Sequence, residues 1–158
     1  MALGSNLGPS WRLLREAIRV LEGRLGPLAV APIYRTEAVT GDPAQRHPDY
    51  LNTVVTGRTR LSAEELLALL LRLERRFGRR REAPGAPRTL DLDLLFLGRS
   101  VRRRRAPLLP HPRLRERRFV LQPLADIAPD LALPPDGATP RELLATLSPR
   151  PWVRRYRS

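Results

Sequence analysis

Two aspartates separated by one residue are the side chains best placed to do chemistry in this sequence. Apolar and polar residues alternate through 89–94, and Asp91 and Asp93 occupy two of the polar positions. Because successive side chains of a strand point to opposite faces, the carboxylates are expected on one face, about 6.5–7 Å apart along the strand. A divalent cation that prefers oxygen ligands, Mg²⁺ or Mn²⁺, would relieve their repulsion. The alternative is an ordinary solvated face of a half-buried sheet.

Arginine is concentrated around this acidic pair. All 29 basic residues are arginine, and 16 of them lie between positions 72 and 118. Arg79, Arg81 and Arg88 come shortly before the aspartates in the segment 78–88, whose glycines and prolines predict a mobile surface loop. A guanidinium group stays charged and can bind phosphate through two N–H groups. Carboxylates that hold a metal, beside mobile arginines, are the combination that phosphoryl transfer needs.

Three further polar residues are candidates for binding a nucleotide. Glu74 lies near the end of a predicted helix, where it could bind a nucleotide, anchor the arginine loop or be an ordinary surface charge. His111, between two prolines, could donate a hydrogen bond to phosphate or have a structural role. Arg117 belongs to a basic stretch, 113–118, of which one or two members could bind phosphate and the rest face solvent.

Aromatic residues make up only 5% of the chain, and two of them adjoin polar or basic segments. Tyr50 and Phe119 could stack on the two sides of a flat heterocycle. Asn52, on the same strand face as Tyr50, could hydrogen-bond the edge of that ring. The alternative is that both aromatics belong to the core.

The elements that would position these residues follow the order strand, helix, strand, strand, helix, strand. This is the pattern of a ferredoxin-like βαββαβ sandwich, an α+β fold in which both helices cover one face of an antiparallel sheet. The predicted strands are 1–6, 28–36, 50–59 and 89–97. The predicted helices are 11–25, capped by Ser10, and 62–77, opened by the capping box of Ser62 and Glu65.

C-terminal additions follow this sandwich. A short helix is predicted over 117–126, and Thr139 and Glu142 form a second capping box that opens a helix ending near Leu147. The tail 148–158 is expected to be loosely ordered. The length of 158 residues suits one domain spanning 1–158.

Composition excludes several classes of protein. There is no cysteine, so disulfides, thiolate nucleophiles and cysteine metal sites are excluded, and without lysine there is no Schiff-base chemistry. The sequence shows neither an apolar run long enough to span a membrane nor the pattern of a signal peptide, so we expect no membrane contact and a cytoplasmic location. The net charge of +13 leaves binding to a polyanion open.

The chain resembles the 6-hydroxymethyl-7,8-dihydropterin pyrophosphokinases of folate biosynthesis. The segments that carry the resemblance occur in the family's order and span most of the chain. They are Ala-Leu-Gly-Ser-Asn-Leu-Gly (2–8), Tyr-Arg-Thr (34–36), Pro-Asp-Tyr-Leu-Asn (48–52), Glu74 with Gly78 and Arg79, Pro-Arg-Thr-Leu-Asp-Leu-Asp (87–93), Leu-Pro-His-Pro (109–112), Arg117 and Phe-Val-Leu-Gln-Pro-Leu (119–124).

This resemblance implies transfer of the β,γ-pyrophosphoryl group of ATP to the pterin hydroxymethyl oxygen, with release of AMP, by a monomer that binds no nucleic acid. It implies that Asp91 and Asp93 hold two Mg²⁺ ions and that Arg79 and Arg88 close on the phosphates. The residues implied to bind ATP are Glu74, Arg79, Arg81, Arg88, His111 and Arg117. The residues implied to bind the pterin are Thr36, Val39, Tyr50, Asn52, Asp93 and Phe119.

Two other functions fit parts of the sequence. A basic ferredoxin-like sheet could bind RNA, although such sheets stack bases on aromatic residues of their central strands. The strand 89–97 instead offers two aspartates, which would repel phosphate unless they hold a metal. A nucleotide-sugar transferase could also use the Asp-Leu-Asp sequence, but the chain is short for that class. AMP formed from ATP would separate the kinase from both.

Overall fold

The structure is a computed structural model that describes residues 1–38, 47–79 and 86–157. The described residues form six β-strands, four α-helices and one 3₁₀ turn, Leu114–Glu116. In chain order these are β1 (Ala2–Ser5), α1 (Ser10–Leu25), β2 (Leu28–Val30), β3 (Tyr34–Thr36), β4 (Tyr50–Gly57), α2 (Ala63–Arg76), β5 (Asp91–Asp93), α3 (Arg118–Ile127), α4 (Pro140–Thr146) and β6 (Val153–Arg155).

All strand pairs are antiparallel, and the strands lie in the order β5-β1-β4-β3-β6. β2 pairs with the same side of β4 as β3 does, so β2 and β3 together act as one interrupted strand. This places β1 and β4 in the centre, as the predicted ferredoxin-like order requires. The α+β fold predicted from the sequence is confirmed.

The interruption between β2 and β3 decides which side chains reach the site. Val30 pairs with Val55, whereas Tyr34 pairs with Asn52, so the segment 31–33 holds one residue more than the matching part of β4. This is the arrangement of a β-bulge, and Pro32, which lacks an N–H group, lies within it. The extra residue turns Tyr34 and Thr36 to the face that carries Asn52.

The sheet has a different cover on each face. α1 and α2 pack on one face against a cluster that includes Leu3, Leu51 and Leu92. α3 packs on the other face, where Val54 and Val120 belong to a second cluster. The side chains of Asn52 and Asp91 share the face of Val54, so the candidate site lies on the α3 side of the sheet.

Several element boundaries differ from the predictions. The predicted strand 28–36 is broken by the bulge. The predicted strand 89–97 is reduced to β5 because β1, the one strand that pairs with it among the described residues, reaches no further than the pairing of Ala2 with Asp93. Ser10 was wrongly predicted as a helix cap: it is the first residue of α1, and its hydroxyl accepts a hydrogen bond from Ser5. Both predicted capping boxes are confirmed.

The C-terminal segment also differs from the prediction. The tail from position 148 was expected to be loosely ordered, but residues 153–155 form β6 and pair with β3. A strand of only three residues, two of them arginine, has no alternation from which it could have been predicted. Within the described parts of the chain, no helix has the length and apolar character needed to cross a membrane.

Candidate active site

The centre of the site is a row of four residues that cross the sheet side by side. Gly4 of β1 pairs with Asp91 of β5 on one side and with Asn52 of β4 on the other, and Asn52 pairs with Tyr34 of β3. Directly opposed residues of antiparallel strands share a face. Because Gly4 has no side chain, a trough lies between Asp91 and Asn52. A β-carbon added at Gly4 would stand 2.7 Å from Asn52 Oδ1.

The two aspartates lie on one face of β5, as the alternation in the sequence predicted. Leu92 between them is buried under α1 and α2. The side chains of Asp91 and Asp93 remain 25% and 30% exposed, so both carboxylates are accessible to a ligand. The buried leucine therefore fixes the direction in which both acids point.

Three arginines are the counter-ions of these acids. Arg79 donates from Nη1 to Asp91 Oδ1 at 2.5 Å, and Arg88 donates from Nη1 to Asp91 Oδ2 at 2.8 Å. Arg117 donates from Nη1 to Asp93 Oδ2 at 2.7 Å. The acids and the arginines that the sequence analysis grouped by proximity along the chain are thus in direct contact.

Glu74 ties the end of α2 to β5. Its side chain is only 3% exposed, and its Oε1 accepts a hydrogen bond from the backbone N–H of Leu92 at 2.8 Å. The same oxygen also accepts from Arg79 Nη1. Of the roles considered for Glu74, anchoring the arginine segment is the one that these contacts support.

His111 lies beside Asp93, with 3.9 Å between His111 Nε2 and Asp93 Oδ2. Burial lowers the pKa of His111, with nearby arginines adding to the effect, although Asp93 opposes it. His111 Nδ1 accepts a hydrogen bond from the Arg113 backbone N–H at 3.1 Å. The neutral ring therefore carries its proton on Nε2, where it can be donated toward the acidic pair.

A cleft of about 320 Å³ borders His111 on another side. Val101, Leu108 and Leu114 supply apolar walls, and Arg103 is among the charged residues around it. The cleft joins apolar surface to cationic groups within reach of the same histidine. Its volume is at the lower end of the range for small-molecule sites, about 300–1,000 Å³.

Asn6 is a residue of the site that the sequence analysis assigned no role. Its Oδ1 accepts from the Arg88 backbone N–H at 2.8 Å, and its own backbone N–H donates to the Arg88 carbonyl at 3.1 Å. Its Nδ2 donates to the carbonyl of Pro48 at 3.2 Å. Asn6 thus joins the backbone before β5 to the backbone before β4. Contacts between such distant positions leave no local pattern, although Asn6 stands inside the Ala-Leu-Gly-Ser-Asn segment.

The candidate pterin residues meet around β4. Asn52 is buried, and its Nδ2 donates to Thr36 Oγ1 at 2.7 Å. Tyr50 pairs with Thr36 and lies on the same face of the sheet. Phe119 of α3 packs in the second cluster, and the Arg117 guanidinium lies 5.6 Å from its ring centre.

Two of the predicted site residues, Val39 and Arg81, lie outside the described residues. So do positions 80–85 of the predicted arginine loop. The remaining eleven candidates are all described, and each lies on or beside the α3 face of the sheet or at the end of α2.

The donor set suits Mg²⁺. Two partly exposed carboxylates share a face, and no group of three or more acidic or histidine side chains that could enclose a metal occurs in the described ranges. Mg²⁺ is usually held by one or two carboxylates, with waters and substrate phosphates as the other ligands. Asp91 and Asp93 therefore fit a cation that arrives with phosphate and do not form a closed metal cage.

Comparisons with known proteins show which proteins this chain is similar to. The model of a family described as 7,8-dihydro-6-hydroxymethylpterin-pyrophosphokinase (HPPK) matches residues 1–129, which include every candidate site residue. Three similar proteins are each named 2-amino-4-hydroxy-6-hydroxymethyldihydropteridine pyrophosphokinase. The Synechocystis protein is 42% identical over 146 residues, covering 91% of this chain and 73% of its own length. The Pseudomonas aeruginosa protein is 40% identical over 149 residues, which cover 92% of this chain and 88% of its own length. The Methylorubrum extorquens protein is 41% identical over 152 residues, which cover 94% of this chain and 92% of its own length.

Proposed function

The chain belongs to the 7,8-dihydro-6-hydroxymethylpterin-pyrophosphokinase family, and we propose that it transfers pyrophosphate from ATP to 6-hydroxymethyl-7,8-dihydropterin. The reaction gives the pterin diphosphate and AMP, depends on Mg²⁺ and serves folate biosynthesis. The observation that carries the proposal is the pair Asp91 and Asp93, which share one sheet face and are contacted by three arginines.

Asp91 and Asp93 are proposed to hold two Mg²⁺ ions. When bound, the metal supplies charge neutralisation on the phosphate oxygens. The support is that both carboxylates point the same way while the residue between them is buried, so their separation is fixed by the strand before any ligand arrives. That fixed separation lowers the reorganisation needed when the triphosphate binds.

The three arginines are proposed to change partners when ATP binds. In the described structure Arg79, Arg88 and Arg117 neutralise the two acids. Once the carboxylates hold cations, these guanidinium groups become available to the phosphate oxygens, which they can bind through paired N–H groups. Glu74 would keep Arg79 near the site during this exchange, because Glu74 is itself fixed to Leu92.

His111, Glu74, Arg81 and Arg117 are proposed to complete the nucleotide site with Arg79 and Arg88. His111 suits this role because its Nε2 proton faces the acidic pair and its lowered pKa keeps the ring a neutral donor. The cleft beside His111 offers apolar surface for the rest of the nucleotide.

The pterin ring is proposed to lie over the trough at Gly4. Asn52, held by Thr36, would hydrogen-bond the ring edge, and backbone groups from Thr36 to Val39 would bind next to it. Tyr50 and Phe119 would stack on the two ring faces, which orients the hydroxymethyl oxygen before reaction. Asp93 Oδ1 accepts no hydrogen bond from the described residues, and we assign it to the hydroxymethyl group, whose proton it would accept.

The chain is further proposed to be a single-domain cytoplasmic monomer, 1–158, that binds neither nucleic acid nor membranes. The support against nucleic-acid binding is that Arg79, Arg88 and Arg117 are already paired with the two acids of β5 and are therefore less available to a nucleic-acid backbone. Sedimentation would test the monomeric state, and RNA filter binding at physiological salt would test the absence of nucleic-acid binding.

The deciding experiment is to incubate the protein with γ-labelled ATP, Mg²⁺ and 6-hydroxymethyl-7,8-dihydropterin and to separate the nucleotides. The expected products are AMP and a pterin that carries the label. Formation of ADP would show attack at the γ-phosphorus and would contradict the proposal. Omitting the pterin is the control, because AMP formed without it would indicate hydrolysis.

A further inference from the structure

The C-terminal strand β6 lies directly beside the pterin half of the site, although it falls outside the residues 1–129 that the family model matches. It pairs with β3 in the register Tyr34 with Arg155 and Thr36 with Val153. Since opposed residues share a face, Val153 stands next to Thr36 on the face that carries Asn52. β6 is therefore the outermost strand on that side of the site.

The ladder between the two strands extends beyond Thr36. The backbone N–H of Glu37 donates to the carbonyl of Trp152 at 3.3 Å, and the N–H of Tyr156 donates to the carbonyl of Ile33 at 2.8 Å. These bonds fix the backbone on both sides of Thr36. The ion pair of Arg150 with Glu37, at 3.6 Å, is largely exposed and contributes little.

We infer that β6 is a positioning element of the pterin site. By pairing with β3 it holds Thr36 in extended conformation and hydrogen-bonds the Glu37 backbone. Thr36 in turn holds the Asn52 amide through the 2.7 Å hydrogen bond. Without β6, the three-residue β3 would be an edge strand with unpaired backbone groups, and Thr36 would lie at its mobile end. The inference rests on the proposed function, since it concerns affinity for the pterin.

The pattern of the ladder supplies a matched pair of variants. The bonds from Glu37 to Trp152 and from Tyr156 to Ile33 show that every second residue of β6 is hydrogen-bonded, which makes Arg154 a bonded position and Arg155 a position whose N–H points away from β3. Arg154→Pro therefore removes a bond of the ladder, whereas Arg155→Pro removes an outward N–H. Each variant loses one arginine and gains one proline.

The test compares the two variants and the wild type in AMP formation, with ATP affinity measured separately. We expect Arg154→Pro to raise the pterin KM about fivefold to tenfold, as the loss of one or two backbone hydrogen bonds would. Its Kd for ATP should stay within about twofold of wild type, and Arg155→Pro should match the wild type in both constants.

Equal pterin KM values in Arg154→Pro and wild type would overturn the inference while leaving the function intact. An Arg154→Pro protein that loses ATP binding or cooperative unfolding would also overturn it, because β6 would then support the whole fold. Absence of AMP with the wild type would instead contradict the proposed function.

Discussion

At the scale of single residues, the acidic pair shows how a site can be charged and still fold. Asp91 and Asp93 are neutralised by arginine in the structure, so neither carries an unpaired charge at its partly buried position. The same arginines are the groups that phosphate would attract. Binding of a metal-bound triphosphate is therefore an exchange of ion-pair partners. The carboxylates and guanidinium groups are already partly desolvated in the folded protein, so the exchange adds little further desolvation.

Replacing Asp93 by asparagine tests the two roles proposed for its carboxylate, metal binding and proton acceptance. Asparagine keeps the shape and an oxygen that can accept from Arg117, but it removes the charge that attracts Mg²⁺. We expect kcat to fall at least about 10²-fold, the loss typical of removing one electrostatic partner of the transition state. Pterin affinity should change by less than about threefold, because stacking on Tyr50 and Phe119 does not need the carboxylate.

The control for this substitution is Asp130→Asn, which alters an exposed ion pair with Arg141 that includes no candidate site residue. It should leave kcat unchanged. A near-normal kcat for Asp93→Asn at saturating Mg²⁺ would show that Asp93 holds no essential metal.

Gly4 is predicted to be required because nothing larger fits beside Asn52. An added β-carbon would stand 2.7 Å from Asn52 Oδ1, and the buried Asn52 is tethered to Thr36. Gly4→Ala should displace the amide and raise the pterin KM by about tenfold, equivalent to about 1.4 kcal/mol. ATP affinity, measured by equilibrium binding, should be unchanged.

Gly23→Ala is the matched control, because Gly23 is an exposed residue of α1 with no atom within 4 Å of an added β-carbon. It should leave both KM values unchanged and stabilise the protein by about 0.5–1 kcal/mol. If both alanine variants keep the wild-type pterin KM, the trough at Gly4 is not the pterin site.

The residues of this site differ in how far their positions follow from the sequence. The common face of Asp91 and Asp93 follows from strand alternation, which is a local rule. The contact of Glu74 with Leu92 and that of Asn6 with Arg88 join positions 18 and 82 residues apart. Such contacts depend on how elements pack, so the sequence identified the residues of the acidic centre better than the residues that support it.

At the scale of elements, the bulge between β2 and β3 is the feature that the sequence pattern concealed. An unbroken strand over 28–36 would keep the register of Val30 with Val55 and pair Tyr34 with Leu51, which would turn Tyr34 toward α1 and α2. Pro32 marks a break, but the change of register by one residue depends on pairing with β4. The bulge is therefore a structural requirement for Thr36 to reach Asn52.

The bulge also has an energetic consequence, because it turns Tyr34 of β3 toward α3. The Tyr34 hydroxyl donates to Asp126 Oδ2 at 2.7 Å, and burial, together with this hydrogen bond, raises the pKa of Tyr34 to about 12. Since the folded pKa exceeds the unfolded value of about 10, the stabilisation is fully present below pH 10 and is lost as the pH rises toward 12. The loss should be on the order of 2 kcal/mol.

Tyr34→Phe should remove this alkaline loss, with a decrease in stability of about 1 kcal/mol at neutral pH for the missing hydrogen bond. Urea unfolding at several pH values from 9 to about 11.5 would measure it. The chain has no lysine or cysteine, so tyrosine is the side-chain type that ordinarily titrates in this range. Tyr156→Phe should retain the wild-type slope, and an equally steep slope in Tyr34→Phe would contradict the assignment.

At the scale of the whole molecule, only part of the net charge of +13 lies where it could attract a nucleotide to the site. Arginines on α1, such as Arg12 and Arg19, lie on the helix-covered side of the sheet, away from the acidic pair. Arg103 lines the cleft near His111, and Arg104 follows it in the chain. A local positive field at the cleft would attract the anionic nucleotide more than the net charge alone would.

This distinction predicts different salt responses for two double variants that lose equal charge. The wild-type kcat/KM for ATP should fall by about tenfold or more between 0.05 and 0.5 M salt, because screening shortens the reach of the field. At low salt, Arg103→Gln/Arg104→Gln should reduce kcat/KM several-fold more than Arg12→Gln/Arg19→Gln, and the difference should vanish at 0.5 M. Steady-state AMP formation at limiting ATP measures both effects, while kcat at saturation is the control and should stay constant. Equal losses in the two variants would mean that total charge, and not the arrangement around the cleft, governs the encounter.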